Sequence, residues 1–447
     1  MQINVQLPES VKQILEKFDS KGYQIYIVGG AVRDILMGRM AYDWDFTTNA
    51  TPDEILKIVP GGLYNNKFGT VFTPNPDDET RPHEITTFRK EEGYSDARHP
   101  DKIIWGKTLV DDLSRRDFRI NSLALDKDLK VIDHYKGQDD LKNKLINAVG
   151  DPNERFSEDA LRMIRAVRIA TELGFTIEEN TFEAIRKNAP LIQKIAKERV
   201  KEELFKLIAS SNASDGVIIF RNSGILEQII PELEKCFGVE QKSVGRHHIY
   251  DVGTHLVMAL KFCKSTDIIT RFATLIHDIG KPATYRKLGS GVITFYNHEM
   301  VSTRIAQNLA DRFKFSKKEK EKFVILVRWH QFTVDERQTD SAIRRFIKNV
   351  GKKNLKDMIA LRVGDRLGGG ARETSWRLEE YKRRIEEVQK QPFSITDLKI
   401  NGRDVMETLN LKPGPKVGEV LEKLFEKVVS KEIENKKEDL LKELSSL

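Results

Sequence analysis

The sequence predicts an α+β chain in which a small mixed sheet is followed by an all-helical remainder. Strand-like segments alternate with short helical ones up to about residue 150, and helical periodicity then runs almost unbroken from Asp151 onward. Hydrophobic content of 39% and charged content of 32% suit a globular, helix-rich protein. A chain of 447 residues has room for about two to four domains.

The amino-terminal segment Met1 to Lys21 is amphipathic with mixed charge, and no run of eighteen apolar residues occurs. A cytoplasmic protein with no membrane partner is therefore expected. Strands are predicted at Gln24–Val28, Gly69–Phe72, Glu84–Phe88, Ser122–Asp126 and Val131–Asp133. Helices follow, punctuated by Gly174, Pro190, Gly224 and Pro231, with a loop expected at Gly368-Gly369-Gly370 and a turn at Lys412-Pro413-Gly414-Pro415. The expected units are 1–150, 151–235, 236–390 and 391–447. Cys236 and Cys263 are the only cysteines and lie outside any C-x-x-C spacing, so neither a disulfide framework nor a cysteine zinc site is expected. The excess of seven positive charges and a pI near 9.0 fit an RNA partner but discriminate weakly.

The chemistry-bearing residues begin where Tyr26-Ile27-Val28 runs into Gly29-Gly30, a turn whose bare backbone can approach a phosphate. Strand alternation would set Asp43 and Asp45 on one face with Trp44 opposed, giving paired oxygen ligands for Mg2+ on a triphosphate. Each piece alone also fits a plain hairpin turn and a solvated edge. Glu84, on a predicted strand, is either a third carboxylate near the metal or an ordinary strand residue. Arg115-Arg116-Asp117-Phe118-Arg119-Ile120-Asn121 joins two guanidiniums to an amide, suited to phosphate and ribose oxygens or to a basic surface. Further on, Ser157 is placed as a helix N-cap, so that Asp159 and Arg162 lie one turn apart on one face. That pair can present an acceptor and donors to the edge of a base, or form a surface ion pair.

The run Gly29-Gly30-Ala31-Val32-Arg33-Asp34-Ile35-Leu36-Met37-Gly38-Arg39, followed by Asp43-Trp44-Asp45-Phe46-Thr47, closely resembles the head signature of bacterial-type class II tRNA nucleotidyltransferases and poly(A) polymerases, members of the DNA polymerase beta-like superfamily. The resemblance implies a nucleotidyltransferase head followed by an all-α neck, body, HD-like domain and tail. It implies addition of CCA to a tRNA 3′ end from CTP and ATP without a template, with an A-adding enzyme or a poly(A) polymerase as alternatives. It assigns Gly29, Gly30 and Arg33 to the triphosphate and Arg116, Asp117 and Asn121 to the sugar. Glu158-Asp159-Ala160-Leu161-Arg162 matches the family's E-D-x-x-R motif, which makes Asp159 and Arg162 an amino-acid template that accepts CTP and ATP, with Arg165 and Arg168 in the same pocket. Arg119 stands where the family usually has threonine, which leaves its own role open. Glu198-Arg199-Val200-Lys201-Glu202-Glu203-Leu204 resembles a family motif that supports the neck helices and the pocket rather than taking part in the reaction. The polar segment from Arg89 to Pro100 resembles the flexible loop of enzymes that add the terminal adenosine.

Six of the nine histidines fall between His247 and His330. His255, His277-Asp278 and Asp365 offer nitrogen and oxygen donors suited to Mn, Fe, Ni or Co more than to Mg alone. Their order resembles the HD phosphohydrolase superfamily, with His298 and His330 as candidate further ligands. That implies a second activity on phosphate esters at RNA ends or in nucleotides; a metal-free scaffold is the alternative, and an HD hydrolase with an inert head is a rival for the whole chain. The tail, with Lys399-Ile400-Asn401-Gly402-Arg403-Asp404 and the segment Lys412 to Gly418, would either contact tRNA phosphates or cap the helical body. Oligomeric state is left open.

Overall fold

The computed structural model describes residues 3–64, 68–93, 101–241, 249–332, 334–335, 337–389, 395–430 and 432–446. Its amino-terminal part holds strands β1 (Ile25–Val28), β2 (Asp45–Thr48), β3 (Thr70–Thr73), β4 (His83–Thr87), β5 (Arg89–Glu92), β6 (Lys102–Trp105), β7 (Leu123–Leu125) and β8 (Val131–Asp133). Helices α1 (Glu9–Asp19), α2 (Gly30–Leu36), α3 (Pro52–Ile58) and α4 (Leu109–Ser114) are interleaved with them. Six strands form one mixed sheet in the order β3-β4-β2-β1-β7-β8, in which only β2 and β4 run parallel. Its central strand β1 is apolar on both faces. Ile25 and Ile27 join a core with α1, α2 and α3, while Val28 packs with Phe88, Leu109 and Leu113 on the other side.

The neck and body helices are α5 (Gly137–Asn143), α6 (Pro152–Glu158), α7 (Leu161–Leu173), α8 (Glu179–Asn188), α9 (Lys197–Ala209), α10 (Ala213–Asn222), α11 (Ile225–Ile229) and α12 (Pro231–Glu234). After them come α13 (Val252–Phe262), α14 (Ile268–Ile276), α15 (Lys281–Thr284), α16 (His298–Arg312), α17 (Lys317–Trp329), α18 (Asp340–Val350), α19 (Leu355–Gly368) and α20 (Trp376–Gln389). A continuous buried cluster runs from Phe118 through Ile164, Phe220 and Phe272 to Val388, so these helices share a core. The tail, α21 (Gly402–Leu409), α22 (Pro415–Val429) and α23 (Lys437–Leu444), closes around a separate cluster including Val405, Leu424 and Leu440. Among the described residues no helix is long and apolar enough to cross a membrane.

Four local expectations are corrected. Ser157 is no N-cap: it lies inside α6, which Asp151 caps through Asn153 N, and its hydroxyl bonds back to Asn153 O. Strand β2 begins at Asp45, so Asp43 precedes the strand and alternation does not align the two acids. Arg89–Glu92 is strand rather than loop, because its backbone pairs antiparallel with β6 from Arg89 opposite Trp105 to Glu92 opposite Lys102; residues 94–100 lie outside the described residues. Gly368 closes α19 instead of lying in a loop. A Cβ there would meet Ala259 N at 2.5 Å and one at Gly364 would meet Ala259 O at 2.8 Å, so the two glycines let α19 settle against α13.

Candidate active site and candidate metal centre

Gly29 turns the chain out of β1 with φ 74°, a left-handed conformation that glycine adopts without strain. A Cβ on it would come within 3.3 Å of Arg116 Nη1 and 3.4 Å of Asp45 Oδ2. The sheet register sets Asp45 beside Val28 of β1 and Glu84 of β4, so the two carboxylates are neighbours on one face. Burial raises the Asp45 pKa, Arg116 pulls it down and Asp43 pushes it up again; Glu84 is raised by burial, then by Asp45 and Asp43. Asp43 itself turns outward, 78% exposed, with Arg81 at 3.5 Å. Acids that repel one another beside a phosphate-sized turn fit a hard divalent cation such as Mg2+.

Beside this face opens a cavity of about 330 Å³ lined by Gly29, Gly30, Asp45, Arg115, Arg116, Asp117, Asn121, Asp159, Leu161, Arg162, Arg165 and Arg199. Eight of the predicted nucleotide residues are thus brought together, from the β1–α2 turn, the α4–β7 connection, the end of α6 and α7. Arg33 stands behind them and donates to Asn121 Oδ1 at 2.9 Å. Arg168 is directed elsewhere, held by Glu203 at 2.6 Å and Glu172 at 2.7 Å. Asp43 and Glu84 also lie outside the lining, and the charge of Arg119 acts on Asp140 and Glu178 instead.

Asp159 ends α6 in an extended conformation, so it and Arg162 are not on one helix, yet the break before α7 still points both into the cavity. Arg162 gives Nη1 to Glu158 and Arg155 O, and Nη2 to Arg115 O at 3.1 Å. Asp159 accepts from Arg199 Nη2 at 2.8 Å and from Leu161 N at 3.0 Å. Asp117 takes two hydrogen bonds from Arg165, at 2.9 and 2.7 Å, and one from Asn121 at 3.1 Å. Burial opposes ionisation of Asp117, but the Arg165 charge and these bonds win and hold its pKa down at about 2.

Arg199, in the segment expected to support the neck and the pocket, lines the cavity and anchors Asp159. One feature of the pocket escapes sequence reasoning. Asp112 is fully buried and grips both Arg115, at 2.7 Å, and Arg116, at 3.2 Å. Its place one turn before the two arginines was the available signal.

In the helical half the predicted ligands converge. His255 comes from α13, His277 and Asp278 from the end of α14, His298 from the start of α16, His330 from the end of α17 and Asp365 from α19. Each of two groups, His255 with His277 and Asp365, and Asp278 with His298 and His330, keeps its ligand atoms within 4.8 Å of one another. His277, His298 and His330 direct Nδ1 to the carbonyl three residues back, at 2.8, 2.8 and 2.7 Å, which presents Nε2 to the centre. Burial lowers the His277 pKa, but Asp278 and Asp365 prevail and carry it to about 10. One buried acid, Asp278, and one half-buried, Asp365, both ringed by imidazoles, fit a transition-metal ion. A cavity of about 430 Å³ opens beside them, its wall including Lys281, Tyr296 and Arg362.

Three family models match the chain: the poly A polymerase head domain over residues 25–147, a probable RNA and SrmB-binding site of polymerase A over 174–237, and a putative tRNA nucleotidyltransferase domain 2 over 292–444. A head of this kind on a mixed sheet, opening onto an arginine-lined cavity, belongs to a nucleotidyltransferase. The CCA-adding enzyme of Staphylococcus saprophyticus is 33% identical over 441 residues, covering 97% of each chain, and that of Lactococcus lactis subsp. cremoris 31% over 445 residues, covering 99% of this chain and 98% of the relative. The Bacillus stearothermophilus CCA-adding enzyme in complex with CTP superposes with a TM-score of 0.72 at 26% identity, covering 99% of this chain and 98% of that one. The Thermotoga maritima CCA-adding enzyme complexed with tRNA shares the fold, with a TM-score of 0.62 at 19% identity, covering 98% and 94%. This chain belongs to the CCA-adding enzyme family.

Proposed function

We infer that the protein adds CCA to the 3′ end of tRNA from CTP and ATP without a nucleic-acid template. The observation that carries this reading is the cavity that joins the Gly29-Gly30 turn and Asp45 to Asp159 and Arg162, in a chain matched along nearly its whole length by CCA-adding enzymes. Those full-length matches favour CCA addition over an A-adding enzyme, a poly(A) polymerase or an HD hydrolase with an inert head.

Asp43, Asp45 and Glu84 would hold Mg2+, which supplies Lewis-acid activation of the RNA 3′-hydroxyl and of the departing pyrophosphate. Gly29 and Gly30 admit the triphosphate to bare backbone, and the Arg116 guanidinium, fixed by Asp112, neutralises it. Asn121, held between Arg33 and Asp117, is set to meet the ribose. Asp159 uses three of about four acceptor sites, two on Arg199 and one on Leu161 N, leaving one on Oδ2 for a base amino group. Arg162 spends three of its five N–H donors on Glu158, Arg155 O and Arg115 O, which fix its guanidinium and leave Nε–H and one Nη2–H to read a base edge. The test uses tRNA transcripts ending before CCA, or after CC, incubated with single nucleotides with and without Mg2+. Incorporation of C, C and then A supports the reading; addition of A alone, or of a homopolymer, refutes it.

The converged ligands favour a second reading, in which the helical half holds a transition metal (Mn, Ni, Co or Fe) and hydrolyses phosphate esters of RNA ends or nucleotides. Lys281 and Arg362 on the cavity wall would balance the ester's charge. Metal-loaded protein inert toward 2′,3′-cyclic phosphates and phosphomonoesters would remove this activity.

A further inference from the structure

We propose that Phe72 and Leu63, an exposed apolar shelf at the edge of the six-stranded sheet, receive the 3′-terminal base of the RNA being extended, a proposal that rests on the nucleotide-addition reading. The sheet register sets the shelf beside the carboxylates. Across one face run Val28 of β1, Asp45 of β2, Glu84 of β4 and Phe72 of β3, each opposite the next, and an antiparallel bridge adds Leu63 beyond Phe72. Leu63 and Phe72 exchange both backbone hydrogen bonds, at 2.7 and 3.0 Å, which holds Leu63 in the row. Val71 and Ile85, one residue along, turn to the opposite face and join the core under α1, α2 and α3. Phe72 is left 37% exposed and Leu63 72% exposed.

The two ends of this row differ in chemistry. At one end the Gly29 turn opens the nucleotide cavity, whose lining reaches Asp45 but includes neither Glu84 nor Phe72. At the other end, past Glu84, the two apolar side chains face solvent. In an in-line transfer the attacking hydroxyl approaches the reacting phosphorus from the side opposite the departing pyrophosphate. With the triphosphate held at Gly29 and Arg116, the RNA end therefore arrives over Glu84, where the shelf stands. An aromatic ring stacks on any base, which suits a terminus whose last base changes from one addition to the next. Arg81, just before β4, lies 3.5 Å from Asp43, just before β2, and is 48% exposed, so a cation for the terminal phosphodiester stands at the same end of these strands. That charge favours an RNA end over an apolar peptide as the occupant. The competing arrangement is a plain sheet edge, in which Phe72 and Leu63 only cover each other.

The test uses the full chain and tRNA transcripts ending before CCA, with either an ordinary or an abasic 3′-terminal nucleotide. KM for RNA and KM for CTP are measured separately in the native protein, Phe72→Thr and Phe72→Trp; threonine suits an edge strand, and circular dichroism checks the fold. We expect Phe72→Thr to raise KM for RNA about 5- to 100-fold, the range of one lost base stack, with KM for CTP unchanged, and Phe72→Trp to restore it. The abasic terminus should cost the native chain a similar factor and cost Phe72→Thr nothing further, a non-additivity that a merely structural residue would not show. An unchanged KM for RNA in Phe72→Thr, or an abasic penalty equal in both chains, overturns the shelf and leaves nucleotide addition standing. A native chain indifferent to the abasic terminus overturns it as well, whether or not the variants fold. If the native chain adds only A or a homopolymer, CCA addition is refuted, while the same comparison with that nucleotide still decides the shelf. A native chain that extends no RNA overturns both.

Discussion

Replacing Arg165 by Met should destabilise the chain by an amount that depends on pH, because the substitution strands a buried carboxylate. In the native protein Asp117 is held at about 2 against an ordinary 3.8. That difference corresponds to about 2.5 kcal/mol of stability at neutral pH. A folded-state pKa depressed in this way contributes fully above the unfolded value of 3.8 and is lost as pH falls through about 2. In Arg165→Met the carboxylate keeps only Phe118 N at 2.8 Å and Asn121 Nδ2 at 3.1 Å, while burial pushes its pKa upward. Breaking such a buried pair costs about 3–5 kcal/mol. Urea unfolding followed by tryptophan fluorescence at pH 7, 5 and 3 should show the gap between native and variant chains largest at pH 7 and shrinking with acid. A gap of equal size at pH 7 and pH 3 would refute the argument, since it would reflect lost packing alone.

Asp43→Ala should abolish nucleotide addition while tRNA binding stays nearly intact, and near-normal CMP incorporation would refute its metal role. Arg162→Ala should blur discrimination against UTP and GTP more than it slows CMP addition, as read from single-nucleotide incorporation; retained rejection of UTP would count against the template role. Gly368→Ala should force α13 and α19 apart, at about 1–3 kcal/mol, and weaken Mn2+ binding by separating His255 from Asp365. Thermal denaturation with and without Mn2+ measures both effects.

The head was legible because its chemistry is local. The strand running into Gly29-Gly30, Asp43-Trp44-Asp45 and Arg115-Arg116-Asp117 each lie within a few residues, so short-range spacing and family resemblance located them. The same local reasoning failed at Asp43, which precedes β2, so strand alternation does not set its direction, and its exposed side chain lies 3.5 Å from Arg81. It failed again at Ser157, because the helix break falls at Asp159 rather than before it. The motif around Arg199 implies support of the neck and the pocket, but not its partner: Asp159 is forty residues away in sequence, and no periodicity within α9 reveals that contact.

Composition and periodicity by themselves determined an α+β head and a helical remainder, the clustering of histidines gave the candidate ligands of a second centre, and the resemblance of the motifs to a known family implied a nucleotidyltransferase. Only the tertiary structure decided that Arg168 leaves the nucleotide cavity for two glutamates, that Asp112 grips the arginine pair, and that the histidines divide into two groups around Asp278. The physical reason is range. Helix and strand propensities act over a turn or a pleat, whereas the direction of a charged side chain is set by whichever opposite charge the packed core brings within reach.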